Sequence, residues 1–219
     1  MSSVAEKKRR AAQAALSYLP DQEILGIGTG TTIDIFIEEL APVAQRIKGA
    51  VPSSEQTRKA LIAAGIPVIP FEEADSIPVY IDSADEANHY LHLIKGGGGA
   101  LTQEKVLAGA SKKFVCIIND EKLVRRLGQH PVPIEVLPMA RSYIARHITH
   151  LGGRPIWREN FITDNGNPIL DVYDLSIDEP VSMEKRINDI SGVVGVGIFA
   201  LRRADVLLVG KDDQVDVLT

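Results

Sequence analysis

Asp82, Asp85, Lys95 and Glu104 fall within one short stretch, and four consecutive glycines, Gly96 to Gly99, separate the lysine from the last acid. Carboxylates move protons when held against a reacting group. An ammonium and bare backbone amides stabilise negative charge as it develops. Four glycines in a row cost chain entropy that a simple turn rarely justifies. Together they suit proton transfer on a small phosphorylated substrate. Asp82 and Asp85 stand at the carboxyl end of a predicted strand, where open α/β sheets place ligands. Three residues apart in a helical turn, they would face one way, able to bind sugar hydroxyls and pass protons. On the functional reading, Lys95 and the glycine amides form an oxyanion site and Glu104 is a general base, its pKa set by the neighbouring acids and the lysine. Each feature also has a bland explanation: an acidic cap, a flexible hinge, or a first-turn acid that complements the helix dipole. Asp82, Asp85, Glu86, His89 and His92 form a rival metal set, but the two histidines lie beyond a turn.

A second glycine-rich stretch, Gly26-Ile27-Gly28-Thr29-Gly30-Thr31-Thr32, follows one predicted strand and opens a helix. Amides at a helix N-terminus favour an anion, and three threonine hydroxyls add donors. Ile33 stands where a dinucleotide fingerprint needs its third glycine, and no Gly-Lys-Ser/Thr follows. A small-molecule phosphate therefore fits better than a nucleotide.

The elements that must position these groups alternate. Helices are predicted over Val4 to Leu19, from the glycine turn through Leu40, over Ser54 to Ala64 and over Thr102 to Ser111. Strands are predicted over Glu23 to Ile27, Gly49 to Val51, Pro67 to Pro70, Pro78 to Asp82, His92 to Ile94 and Lys113 to Ile118. Such alternation marks a mostly parallel sheet covered by helices. Past His130 the pattern becomes strand (Ile134 to Leu137), helix (Ala140 to Thr149), hairpin, helix (Met183 to Ile190) and strand (Val193 to Val196). The hairpin reading pairs Asn160 to Thr163 with Pro168 to Val172 across Asn165-Gly166. The fold class expected is α/β, a Rossmann-like sheet flanked by helices with a smaller antiparallel α+β unit. The division is 1–130 plus 203–219 for the first domain and 131–202 for the second, the apolar tail returning to the first sheet.

The 219 residues carry 45% apolar and 24% charged side chains and a formal net charge of -5, ordinary for a globular protein. No basic field draws the chain to nucleic acid, and its aromatic residues do not alternate with basic ones as a stacking platform would. No apolar run approaches the ~20 residues of a membrane span, and the polar, alanine-rich N-terminal stretch carries no apolar core of the signal-peptide kind. Cys116 is the single cysteine, which excludes disulfide and thiolate-metal frameworks; its apolar setting reads as a buried strand. A cytoplasmic location is expected.

Over nearly its whole length the chain resembles the A-type ribose-5-phosphate isomerases. The resemblance rests on Gly26 to Thr32, Tyr80 to Glu86, Ile94 to Gly98, Ala100 to Lys105, Pro133 to Ala140, Gly152 to Pro155 and Thr163 to Asn167. It implies interconversion of D-ribose 5-phosphate and D-ribulose 5-phosphate through an enediolate, in the non-oxidative pentose phosphate branch, without metal or organic cofactor. By resemblance Glu104 shuttles the proton between C2 and C1, and Asp82 and Asp85 bind hydroxyls, with Asp82 helping to open the furanose. Lys95 and the amides of Gly96, Gly97 and Gly98 steady the enediolate. Thr29, Gly30, Thr31 and Thr32 match the substrate loop, while Lys8 and Lys122 match lysines on the phosphate side. A homodimer, or a tetramer, is implied. Ser83 departs from the family's glycine, Asn119-Asp120-Glu121 from its Asp-x-Ser, and Gly99 from its alanine. A sugar-phosphate sensor, or another sugar-phosphate enzyme on the same scaffold, is the alternative function.

Overall fold

A computed structural model describes residues 2–219, leaving Met1, the first residue of the expected first domain, outside the description. The chain runs α1 (Val4–Ala15), β1 (Ile24–Ile27), α2 (Thr31–Leu40), β2 (Gly49–Pro52), α3 (Glu55–Ala63) and β3 (Ile77–Asp82). Two short strands follow, β4 (Glu86–Ala87) and β5 (Leu93–Ile94), then α4 (Leu101–Ala110) and β6 (Ser111–Asn119). Next come β7 (Val132–Val136), α5 (Arg141–His150), β8 (Arg154–Trp157), β9 (Ile169–Tyr173), α6 (Pro180–Asn188) and β10 (Val193–Val196). The chain closes with β11 (Ile198–Phe199), β12 (Val206–Gly210) and β13 (Val215–Leu218).

The main sheet has the order β13-β12-β6-β3-β1-β2. All its pairings are parallel except β12 with β13, so the apolar tail does return to this sheet. Strand periodicity of two sorts the side chains. Val79 and Ile81 of β3, with Val115 and Ile117 of β6, pack under α1 and α2. Tyr80, Phe114, Cys116 and Ile118 face the opposite way, against Leu107 and Ala108 of α4. Burying one such apolar side chain fully is worth about 1.5–3 kcal/mol, and a one-residue slip would exchange the two faces. Register is therefore held on both sides, and it sends Asp82, two residues after Tyr80, to the α4 face.

The smaller antiparallel sheet has the order β10-β7-β9-β8, and α5 and α6 contribute to its core through Ile144, Ile148, Met183 and Ile187. A third sheet, β11-β5-β4, joins the chain after the small sheet to the segment carrying Lys95.

Helix boundaries follow local chemistry. Ser3 and Glu6 form a reciprocal capping box at α1, and the helix tightens to a 3-10 turn over Leu16–Tyr18 instead of running on to Leu19. Two strand expectations need correction. Between Pro67 and Pro70 only Val68 bridges to Ala50, because prolines bring no donors to a ladder. Asn165-Gly166 does make a tight turn, with Thr163 N–H donating to Asn167 O at 2.9 Å, but Asn160 to Thr163 is not a strand. β9 pairs instead with β8, whose mostly exposed residues give little apolar signal.

Candidate active site

At the carboxyl end of β3, three charged side chains meet in the protein interior. Asp82, Lys95 and Glu104 are 0%, 2% and 3% exposed. Lys95 Nζ stands 2.6 Å from Asp82 Oδ2 and 3.3 Å from Glu104 Oε2, and it also donates to Ser83 O. Burial alone would lower the Lys95 pKa, yet the Asp82 and Glu104 carboxylates more than compensate and hold it above its ordinary value. Asp82 is well supplied with donors: Ser83 N–H at 2.7 Å and Thr29 N–H at 3.2 Å reach Oδ1, and Tyr80 O–H reaches Oδ2. Gly28 makes this possible, since a Cβ there would fall 1.8 Å from Asp82 Oδ1.

Glu104 has no such supply. It sits in the first turns of α4, and its Oε2 is buried without a hydrogen-bond partner among the described residues, the Lys95 contact being an ion pair. Burial raises its pKa to about 8; Lys95 opposes the rise, while Asp82 and Asp85 add to it. A carboxyl with that pKa is a stronger base than a solvated one and changes charge near neutral pH.

Glu104 and Lys95 line a cavity of about 270 Å³, together with Asp85, Gly96, Gly97 and Gly98. Gly97 N–H donates to Asp85 Oδ2 at 2.8 Å, so one glycine amide is spent on holding an acid at the wall. Gly96 turns the chain with φ +104°, a conformation costly for a side-chain-bearing residue. Asp82 and Asp85 are thus not an equivalent pair. The extended end of β3 separates them, leaving Asp82 fully buried behind Lys95 and off the cavity wall, and Asp85 on it. The expectation that both face one way is corrected accordingly.

At another part of the wall stand Gly30, Thr31 and Lys122, with Lys8 Nζ donating to Thr31 Oγ1 at 2.8 Å. Burial and then the Asp85, Lys8 and Lys95 charges act on Lys122, with a net lowering of its pKa; its Nζ donates to Ala84 O at 2.6 Å. Two threonines behave differently from expectation. Thr29 lines the cavity, but its hydroxyl is taken up by Ser53, Ser54 and Thr57 at 2.7–3.1 Å. Thr32 is buried off the wall, its hydroxyl without a partner among the described residues. The rival metal grouping is not assembled among the described residues; the Glu86 carboxylate accepts from the Gly128 and His130 amides instead.

The sequence departures are absorbed locally. Ser83 is not among the residues with positive φ, so glycine is not required there. Asp120 pairs with Lys7 at 2.9 Å, and Glu121 accepts from Asn119 Nδ2 at 3.2 Å, while Lys122 donates to Ala84 O. Cys116 is fully buried, its thiol pushed up to about 12 by burial, in keeping with an inert packing role.

Three neighbours escaped sequence reasoning. Gln56, at the start of α3, lines the cavity. Glu135 of β7 receives Thr102, Thr163, Asn165 and Asn167 side chains. Arg158 reaches the glycine turn from beyond β8. A lone carboxylate within the apolar run Val132–Val136, followed by a Thr-Asp-Asn-Gly-Asn cluster of donors, was the available signal for Glu135.

Comparison with known proteins bears on the family and the fold. The family profile of ribose 5-phosphate isomerase A (phosphoriboisomerase A) matches residues 49–214. Ribose-5-phosphate isomerase A of Legionella pneumophila is 48% identical over 98% of this chain and 100% of its own length. Among solved structures, ribose 5 phosphate isomerase A from Neisseria gonorrhoeae superposes with a TM-score of 0.97 at 46% identity, covering 100% of this chain and 98% of the other. A D-ribose-5-phosphate isomerase in complex with phospho-erythronic acid gives 0.95 at 37% identity, covering 99% of each chain. With sequence and architecture matching from end to end, the chain belongs to the ribose 5-phosphate isomerase A family.

Proposed function

We propose that this protein interconverts D-ribose 5-phosphate and D-ribulose 5-phosphate, with Glu104 as the base that carries a proton between C2 and C1. The observation that carries the reading is the donor-poor, buried Glu104 carboxylate, its pKa raised, set 3.3 Å from an ammonium on a cavity wall. Ionised Glu104 takes the C2 proton of the open-chain aldehyde. Charge then spreads over O1 and O2, where Lys95 and the glycine-turn backbone oppose it. The same carboxyl returns the proton to C1 while a proton moves from O2 to O1. C2 is oxidised as C1 is reduced within one molecule, so the balance calls for no redox cofactor.

Asp85 meets sugar hydroxyls at the wall, and Asp82 acts by way of Lys95, keeping it charged and in place during ring opening and enolisation. The phosphate lies toward Lys8, Thr31 and Lys122, where the N-terminus of α2 adds its positive end. Gly30 brings its backbone to that end, while Thr29 and Thr32 serve the loop's internal packing. The reading is supported by the related isomerase whose structure was solved in complex with phospho-erythronic acid.

Residues 1–130 with 203–219 form the catalytic unit in this reading, and 131–202 the smaller one. A homodimer through the smaller unit is supported by exposed apolar residues there, among them Met139 at 93%, Tyr143 and Trp157. No helix among the described residues is long and apolar enough to cross a membrane, which is compatible with the cytoplasmic metabolism proposed. The test is an assay of ribulose 5-phosphate formation with a metal chelator present. Turnover under those conditions is expected; binding without turnover would favour a sensor, and turnover lost to the chelator would favour a metal enzyme.

A further inference from the structure

We infer that Arg158 is a positioning residue for the reaction, holding and polarising the glycine turn that faces the enediolate; this rests on the proposed isomerase activity. Arg158 directly follows β8, and its N–H still donates to Ile169 O at 2.9 Å, which fixes where its side chain leaves the backbone. The guanidinium crosses to the main unit and donates to Gly97 O at 3.1 Å and to Gly96 O at 3.4 Å. Its other edge is gripped in two places by Asp171 of β9, through Nε at 2.8 Å and Nη2 at 2.5 Å. The Phe161 ring lies 5.2 Å from it, and both members of the ion pair are largely screened from solvent, at 18% and 16% exposure.

The chemical consequence concerns a single peptide group. Gly97 O and Gly98 N–H belong to the same amide. A cationic donor on the oxygen draws electron density through the conjugated bond and makes the N–H a better donor. Gly97 N–H is already given to Asp85, whereas no protein acceptor takes Gly98 N–H among the described residues, and Gly98 lines the cavity. Arg158 thus acts at one remove, through the amide left open to the substrate's developing charge. Only a planar fork can engage Asp171 with one edge and carbonyls with the other. A lysine could neutralise Asp171 but not span both.

The experiment compares wild type with Arg158→Met, Arg158→Lys and Asp171→Asn. It measures kcat, KM and the inhibition constant of phospho-erythronic acid, whose planar anionic carboxylate presents two oxygens as an enediolate does. Because one strengthened donor is at stake, Arg158→Met is expected to lower kcat by about 10- to 100-fold and to weaken inhibitor binding by a similar factor, with KM within about threefold. Arg158→Lys should fall between it and wild type. A purely structural role would lower melting temperature and weaken substrate and inhibitor together; that pattern, or a kcat within about twofold of wild type, would overturn the inference. If Arg158→Met does not fold, Arg158→Lys and Asp171→Asn are judged by the same split. An inactive wild-type protein would overturn both the activity and this role, whereas an active wild type with unaffected variants would overturn this role alone.

Discussion

Glu104 and Glu135 are buried to nearly the same depth, 3% and 0% exposed, but in opposite company. Glu135, in the smaller sheet, accepts from Thr163 at 2.9 Å, Asn167 at 2.9 Å and Asn165 at 3.1 Å, and from the Thr102 hydroxyl. It ties the N-terminal turn of α4 to the loop before β9, and both its oxygens are already engaged. Glu104, on that same helix, faces the cleft with one oxygen lacking a hydrogen-bond partner among the described residues and the Lys95 ammonium nearby. Glu184 sides with Glu135, held by the Ala200 and Leu201 amides and by Lys105. Depth alone therefore does not make a base. A buried carboxylate rich in donors is a fastener, and one starved of donors keeps its affinity for a proton.

The widest gap between the two acids should appear on removing their charge. Glu104→Gln is expected to fold and to lose more than about 10²-fold in kcat, read by steady-state kinetics alongside circular dichroism. Lys95→Met should come next, because it strands Asp82 and Glu104 together: a drop in kcat larger than any change in KM, with a stability loss of about 3–5 kcal/mol for breaking a buried pair, measured by denaturant titration. Glu135→Gln reverses the balance. It should cost about 1–3 kcal/mol through mismatched donors while kcat stays within about tenfold of wild type. A kcat as low as that of Glu104→Gln would erase the distinction between fastener and base. The mildest change sharpens the comparison from the far end of the cavity. Lys122→Ala, removing one cation from the phosphate side, should raise KM about tenfold, as loss of a charge-assisted contact would, and leave kcat nearly as it was.

Much of this was legible in the sequence because it obeys local periodicities. The alternation of Val79 and Ile81 with Tyr80 is a strand pattern, and it placed Asp82 at a strand end. The Lys95-to-Glu104 segment declared its chemistry by composition. What stayed hidden depends on tertiary direction. Asp82 and Asp85 looked equivalent by spacing, but extended backbone at the end of β3 buries the first and presents the second. Gly28 looked like an anion-binding glycine, whereas its missing Cβ makes room for Asp82. Thr29 looked like a ligand donor, and its hydroxyl is consumed by three others, from Ser53 and Ser54 just before α3 and from Thr57 within it. Asn165-Gly166 declared a turn correctly, yet β9 found its partner in Arg154–Trp157, a segment whose exposed, charged and proline-bearing residues carry no alternation. Arg158 and Glu135 act on residues distant along the chain, and no local pattern encodes such a meeting.

The raised pKa of Glu104 ties activity and stability to pH with opposite signs. Only the ionised form can accept a proton, so kcat/KM of the free enzyme should climb as pH rises through about 8. The fold favours the neutral carboxyl, so the stability it contributes is complete below the ordinary value of 4.5 and is lost as pH rises through about 8. The most direct measurement is carbon-detected NMR of the glutamate side-chain carboxyls across pH, wild type against Glu104→Gln. One resonance titrating near 8 and missing from the variant is the expected result. A Glu104 resonance titrating near its ordinary value of 4.5 would contradict the account.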